Sequence, residues 1–225
     1  MTVSIVTTGA GTPKPYMSDL KAAGIKVMPV IPNVKIAKKM EEMGADAVIV
    51  EGMEAGGHIG GTTSMVLWPQ IADAINIPLI AAGGIGDGRG VVEAFVAGAE
   101  GVQCGTIFSI AKESPVGDNW RKAVIDATGT AVVGSTIKGG ATRGIANEEA
   151  GKLFELEKTG VSRDEFNSAL NKGLYVGVRE DDPDKSFFMA GEVAGLIKES
   201  KPAAEIVKDL MDDAQKVLNK NIEIM

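Results

Sequence analysis

The sequence has little of what several functional classes need. It contains one cysteine and one histidine, too few for an intrachain disulfide framework or a zinc site built from these residue types. The net charge is −7 with no block of lysine and arginine, which argues against nucleic acid or an anionic membrane as partner. No apolar run approaches the roughly 18 residues of a membrane span, and the N-terminus lacks the basic start of an export signal. We therefore expect a cytoplasmic protein without a bound metal.

Glycine, in contrast, is abundant at 29 of 225 residues, against a usual share of roughly 7%. Most of these glycines stand at the ends of short apolar runs. These runs predict strands at 3–6, 25–31, 45–50, 77–82 and 101–108, separated by helices at 15–23, 34–43, 65–75 and 91–97. Repeated βα units give a parallel sheet with right-handed crossovers. The pattern alone fits either a barrel or a doubly wound sheet.

Helix boundaries and the later part of the chain follow from other signals. Asn33, Ser64 and Asp87 are each placed to cap a helix. We divide the chain into the βα units at 1–112, an irregular and helical lid region at 113–185, and C-terminal helices at 186–225 that pack on the main body. Helices are predicted at 119–128, within the polar stretch 148–173, and at 203–218.

The stretch VEGMEAGGHIGG, residues 50–61, carries the most chemistry. It follows the third predicted strand, and sites of parallel α/β folds lie at the carboxyl ends of strands. His58 stands among glycines that let a ligand approach the backbone, so we favour a functional histidine over an incidental one. Glu51 and Glu54 either orient a ligand or hold the loop, and the structural role is slightly favoured. Thr8, which follows the first strand, is a similar candidate.

A second glycine-rich constellation comprises AAGGIGDGRG, residues 81–90, and CGTIF, residues 104–108. Gly83, Gly84 and Gly105 could simply make tight βα turns. Loops after late barrel strands, however, often bind phosphate through backbone N–H groups. The two segments together favour phosphate binding, and Cys104, inside the predicted strand, is read as a buried apolar residue.

VEGMEAGGHIGG, IPLIAAGGIGDGRG and GAEGVQCGTIFSIAKES together closely resemble the superfamily of FMN-dependent nitronate monooxygenases and enoyl-ACP reductases II. The forms EGMEAGGHIG and FMAGEVAGLI look more like the reductase branch. The resemblance implies a TIM (β/α)8 barrel with a helical lid, NADH or NADPH as electron donor, and His58 as the catalytic residue near flavin and substrate. It also implies FMN contacts from the loops and the late segment, namely Gly56, Gly57, Gly83, Gly84, Gly105, Thr106, Met189, Ala190 and Gly191.

Two departures from the family pattern stand out. Glu192 occupies a position where the reductase branch usually has glutamine. The matching region also begins at the family's fourth barrel strand, so the predicted strands correspond to strands four to eight and the first three βα units are lacking.

The resemblance implies reduction of 2,3-trans-enoyl thioesters in fatty acid synthesis, with a small-molecule or acyl-thioester substrate that acyl carrier protein could present. We expect a homodimer for a complete barrel. The first alternative is a nitronate monooxygenase, and the second is an inactive or partner-dependent barrel fragment that binds a phosphate ligand. A barrel like that of inosine-monophosphate dehydrogenase shares the GGI and GT motifs, but Cys104 is misplaced for its catalytic cysteine loop.

Overall fold

The computed structural model describes residues 3–9, 11–137 and 140–220. The first half of the chain alternates short strands and helices. In chain order these are β1 (Ile5–Thr8), α1 (Met17–Ala22), β2 (Lys26–Ile31), α2 (Val34–Glu42), β3 (Val48–Glu51), β4 (Gly57–His58), α3 (Ser64–Ala72), β5 (Leu79–Ala82), α4 (Gly88–Val96), β6 (Gly101–Gln103) and α5 (Thr106–Ser109).

The second half is mainly helical. It contains α6 (Asp118–Ile125), β7 (Thr130–Val133), β8 (Thr142–Ile145), α7 (Glu148–Lys158), α8 (Arg163–Arg179), a 3-10 helix (Glu192–Leu196) and α9 (Ala203–Leu218). No helix in the described ranges has the length and apolar character needed to cross a membrane. The bounds of α9 agree with the prediction, and the polar stretch 148–173 is helical as predicted, with α8 continuing to Arg179.

Five strands form one parallel sheet in the order β1-β2-β3-β5-β6. Each of these strands lies beside the next in the chain, and the order never reverses as it does in a doubly wound sheet. The sheet is therefore part of a (β/α)8-type barrel, which confirms the predicted fold class. In the described part of the chain, β1 and β6 are the sheet's two edges.

The main core lies between this sheet and its helices. Val27, Val48 and Leu79 from the strands pack with Trp68 from α3, and α9 adds Leu210 to the same cluster. The helix boundaries have local causes: the side chain of Asn33 accepts the Ile36 N–H at 2.9 Å, and Asp87 accepts the N–H groups at the start of α4, as predicted.

A three-stranded sheet with the order β4-β8-β7 was not predicted. It joins the glycine loop of residues 50–61 to the later part of the chain, because Gly57 pairs with Arg143 and His58 with Thr142. The region 112–147 is thus more regular than its sequence indicated.

The fifth predicted strand, at 101–108, was too long. β6 ends at Gln103, and Thr106–Ser109 forms the short helix α5. Cys104 therefore follows the strand instead of lying within it.

The segment 186–191, which we call the strap, precedes the 3-10 helix and forms neither helix nor strand. Phe187 and Phe188 are both fully buried but belong to different apolar clusters. The Phe188 ring lies 5.3 Å from that of Trp120, and its carbonyl accepts the N–H of Ile145 at 2.8 Å. The strap therefore packs against α6 and β8 through Phe188.

Candidate functional site

A cavity of about 260 Å³ lies at the carboxyl ends of β3, β5 and β6, and the strap closes one side of it. We call it the glycine cavity. It brings together most of the residues that the sequence singled out, although they come from four separate stretches of chain. They are Glu51, Glu54, Gly56, Gly57, Gly83, Gly84, Gly105, Thr106, Met189, Ala190 and Gly191.

Backbone geometry explains why glycine stands at several of these positions. Gly83 has a φ of 86°, and a Cβ there would lie 2.9 Å from the carbonyl oxygen of Gly52. A Cβ at Gly56 would lie 2.5 Å from the carbonyl carbon of Ala190, so the strap can approach the loop only because this residue is glycine.

The N–H groups of Gly83, Gly84 and Gly105 have no acceptor among the described residues. Backbone N–H groups at strand ends are typical donors to phosphate. Gly105 is the most open of the three, since a Cβ there would meet no atom within 4 Å. The wall of the cavity formed by the β5 and β6 loops therefore offers free donors and space.

Glu54 lines the glycine cavity but has a structural partner. Its carboxylate accepts the Ser64 N–H at 2.9 Å and the Ser64 hydroxyl at 2.8 Å. We predicted that the Ser64 side chain caps α3, which was wrong: the N-cap position is Thr63, and Glu54 satisfies the first turn from outside the helix. The structural role anticipated for Glu54 agrees with these contacts.

Glu51 differs from Glu54, because its carboxylate has no hydrogen-bond or ion-pair partner in the described part of the chain. It stands at the end of β3 and lines the glycine cavity together with a neighbouring one. Burial raises the pKa of the Glu51 carboxyl above its ordinary value. Glu51 is thus the carboxylate that is free to interact with a ligand.

His58 lies outside the glycine cavity. With Glu51 and Gly56 it lines a second cavity of about 500 Å³, whose other walls are mainly apolar. We call this the apolar cavity. Its apolar side chains come from β2, its following loop, α2 and the end of the glycine loop: Val30, Ile31, Pro32, Ile36 and Ile59.

Thr8 and Cys104 are less suited to chemistry. Thr8 lines neither cavity, and its hydroxyl oxygen is buried without a partner in the described residues. Cys104 lines the glycine cavity, but burial raises the pKa of its thiol to about 11, so the thiolate is scarce near neutral pH.

Sequence reasoning missed Arg143, which is buried in β8 beneath the glycine loop. Its Nη1 lies 2.8 Å from the Glu192 carboxylate, and its Nη2 donates to the Met53 carbonyl at 3.2 Å. In the sequence, Arg143 stands out only as a charged residue within the short, otherwise uncharged stretch TRGI. The pairing gives Glu192 a partner that its sequence position alone did not reveal.

The residues present fit a phosphate-bearing cofactor such as FMN. The loops after β5 and β6 supply unpaired N–H donors. The Glu54 carboxylate, which would repel a phosphate, is instead hydrogen-bonded to Ser64. The ion pair with Arg143 likewise neutralises Glu192. The glycine cavity is smaller than a whole flavin nucleotide, but it shares Glu51 and Gly56 with the larger apolar cavity.

Comparison with known proteins gives a consistent result. The family model for nitronate monooxygenase matches residues 1–213. A "Probable nitronate monooxygenase" of Staphylococcus aureus (strain Newman) is 40% identical over 154 residues, which are 63% of this chain and 43% of that protein. "(3aS,4S,5R,7aS)-5-hydroxy-7a-methyl-1-oxo-octahydro-1H-indene-4-carboxyl-CoA dehydrogenase" of Rhodococcus jostii (strain RHA1) is 50% identical over 103 residues, which are 46% of this chain and 29% of that protein.

Among solved structures, FabK from Thermotoga maritima superposes with a TM-score of 0.90 at 40% identity. The alignment covers 95% of this chain and 68% of that structure. The chain therefore spans less than half the length of the two curated relatives and about two thirds of this structural relative.

Proposed function

The chain belongs to the nitronate monooxygenase family, and from this premise we propose that it supplies the FMN site of an oxidoreductase that reduces enoyl thioesters. One observation carries the proposal. The cavity at the ends of β3, β5 and β6 presents the unpaired N–H groups of Gly83, Gly84 and Gly105 on one wall. Met189, Ala190 and Gly191 of the strap line the same cavity.

In this proposal the FMN phosphate lies against Gly83, Gly84, Gly105 and Thr106. Gly56, Gly57 and the strap residues contact the remainder of the cofactor. FMN, when bound, supplies two-electron redox chemistry, with NADH or NADPH as the source of electrons. The Thr106 hydroxyl accepts the Gly191 N–H at 2.9 Å and keeps its own O–H to donate to the phosphate.

The apolar cavity is the proposed place of the substrate's reacting end. Its aliphatic walls suit an acyl chain, and His58 is one of its few polar side chains. Reduction of the double bond requires a proton at the α-carbon of the thioester, and the His58 imidazole would hold and deliver that proton. Glu51, shared by both cavities, would orient the ligand between them.

The relatives are compatible with two activities. A carboxyl-CoA dehydrogenase among the relatives supports a thioester substrate, as do the reductase-like segments EGMEAGGHIG and FMAGEVAGLI. A probable nitronate monooxygenase supports the alternative, in which the same cavities serve a nitronate and oxygen. Presentation of the acyl group by acyl carrier protein and homodimer formation are further parts of the reductase proposal.

The test is an assay of the purified chain with added FMN. Nicotinamide oxidation is measured with crotonyl thioester, and oxygen uptake is measured separately with a nitronate. The reductase proposal predicts thioester-dependent oxidation that falls by roughly 10²–10⁴-fold in His58→Ala. Nitronate turnover without thioester-dependent oxidation would reverse the ranking. If neither substrate reacts while FMN binds, the partner-dependent fragment becomes the better explanation.

A further inference from the structure

Arg143 occupies an unusual place for an arginine. It lies in the middle of β8, between β4 and β7, and is 4% exposed. A buried guanidinium loses its hydration and must be compensated by hydrogen bonds and opposite charge. The contacts of Arg143 therefore indicate what its charge holds together.

The Arg143 guanidinium contacts three separate parts of the chain. Nη1 donates to the Thr130 hydroxyl of β7 at 2.9 Å and lies 2.8 Å from the Glu192 carboxylate, which follows the strap. Nη2 donates to the Met53 carbonyl in the glycine loop at 3.2 Å. Nε is buried and has no partner among the described residues.

Two of these parts, the glycine loop and the strap, line the glycine cavity side by side. They also touch directly, since the Glu192 N–H donates to the Glu54 carbonyl at 2.9 Å. Next to it, the Gly191 N–H donates to the Thr106 hydroxyl at 2.9 Å. Arg143 also holds β4, which contains His58, through its own backbone, because Arg143 pairs with Gly57.

We propose that Arg143 is a positioning residue that sets the distance between the glycine loop and the strap. Glu192, the residue after the strap, is its ion-pair partner on that side. The Glu192 side chain is 51% exposed, so its carboxylate stays hydrated when the ion pair separates. The Arg143 side chain is only 5% exposed and would be left buried without that partner. The functional meaning of this spacing rests on the proposed FMN site, but the spacing itself can be measured without FMN.

Hydrogen–deuterium exchange of the purified chain tests the positioning directly. Arg143→Gln should accelerate exchange of the Met53, Gly191 and Glu192 amides by at least about tenfold while the amides of α9 keep their rates, because only local contacts are lost. Arg121→Gln is the matched control. Arg121 also contacts a carboxylate, Asp118, and a carbonyl, that of Ser114, but it lies in α6 away from the cavity.

Two further variants separate positioning from a general loss of stability. Arg143→Lys keeps the charge and should restore slow exchange at Gly191 and Glu192 but not at Met53, because one ammonium cannot replace the forked contacts. Glu192→Gln, at a half-exposed site, should accelerate exchange of the Gly191 and Glu192 amides and leave that of Met53 unchanged. Two results would overturn the proposal. One is unchanged exchange rates of the Gly191 and Glu192 amides in Glu192→Gln, and the other is uniformly faster exchange in Arg143→Gln that includes the amides of α9.

An FMN titration of the same variants links the spacing to the site. Arg143→Gln should weaken FMN binding by at least about threefold relative to the wild-type chain and Arg121→Gln. Local exchange changes with unaltered FMN affinity would overturn the link to the cavity. If the wild-type chain itself bound no FMN, the proposed function would fail, and the exchange data alone would judge the positioning role.

Discussion

Gly105 offers the cleanest perturbation of the proposed phosphate wall. Its φ of −100° and ψ of −67° are accessible to alanine, and a Cβ there meets no atom within 4 Å. Replacement of glycine by alanine at a compatible position usually stabilises a protein by about 0.4–1 kcal/mol through the unfolded chain. The Gly105→Ala fold should therefore be as stable as the wild type or slightly more so.

FMN binding should change in the opposite direction. The added methyl group would stand at the cavity wall beside the free Gly105 N–H and obstruct a phosphate oxygen. A hydrogen bond to a charged group contributes about 1.5–3 kcal/mol, so its loss corresponds to roughly 10- to 150-fold weaker binding. Gly84 is less useful for this purpose, since its φ of 79° would add backbone strain to the obstruction.

The assay is a fluorescence titration with FMN and, in parallel, with riboflavin, which lacks the phosphate. Gly129→Ala is the matched control, because Gly129 also has open space around its Cβ position but lies outside the glycine cavity. Gly105→Ala should reduce the affinity for FMN and leave that for riboflavin nearly unchanged. Equal FMN affinity in Gly105→Ala and Gly129→Ala would refute the reasoning.

Three other predictions follow from the geometry. Glu54→Ala should lower the free energy of unfolding by about 1–3 kcal/mol in urea titrations, because the Ser64 N–H loses its acceptor while the Ser64 hydroxyl keeps only the Gly83 carbonyl at 3.1 Å. Glu54→Gln should cost less, and equal effects of the two variants would contradict this account. Cys104, with a thiol pKa of about 11, should react with iodoacetamide on the order of 100-fold more slowly at pH 8 than an ordinary thiol, and its rate should keep rising through pH 9.5 instead of levelling near 8.5. The chain alone should purify colourless and self-associate through the edge strand β1, near which Val3 and Ile5 are 57% and 56% exposed. Ile5→Lys should reduce this association, whereas a yellow, monodisperse wild-type monomer would contradict the prediction.

The parallel sheet could be predicted because its signals are local. Apolar runs such as VIV and LIAA end at glycines, and Asn33 and Asp87 cap the following helices through contacts within three residues. It was also predictable that the residues following β3, β5 and β6 would line one cavity, because the carboxyl ends of parallel strands meet at one edge of the sheet.

The antiparallel sheet and the Arg143 contacts could not be predicted in this way. β4 has only two residues, and β8, with the sequence TRGI, contains a charged residue and a glycine, so neither resembles an apolar strand. Their pairing depends on contacts distant in sequence. The same limit explains β6: CGTIF is apolar enough to resemble a continued strand, and only the turn at Gly105 separates the strand from α5.

The central claim is that the glycine cavity holds the phosphate of FMN. A crystal structure of the chain grown with FMN tests it most directly. We expect phosphate oxygens at hydrogen-bond distance, about 2.7–3.2 Å, from the backbone nitrogens of Gly84 and Gly105, with the flavin extending past Gly56 toward His58. A phosphate bound elsewhere, with these N–H groups facing solvent, would contradict the account.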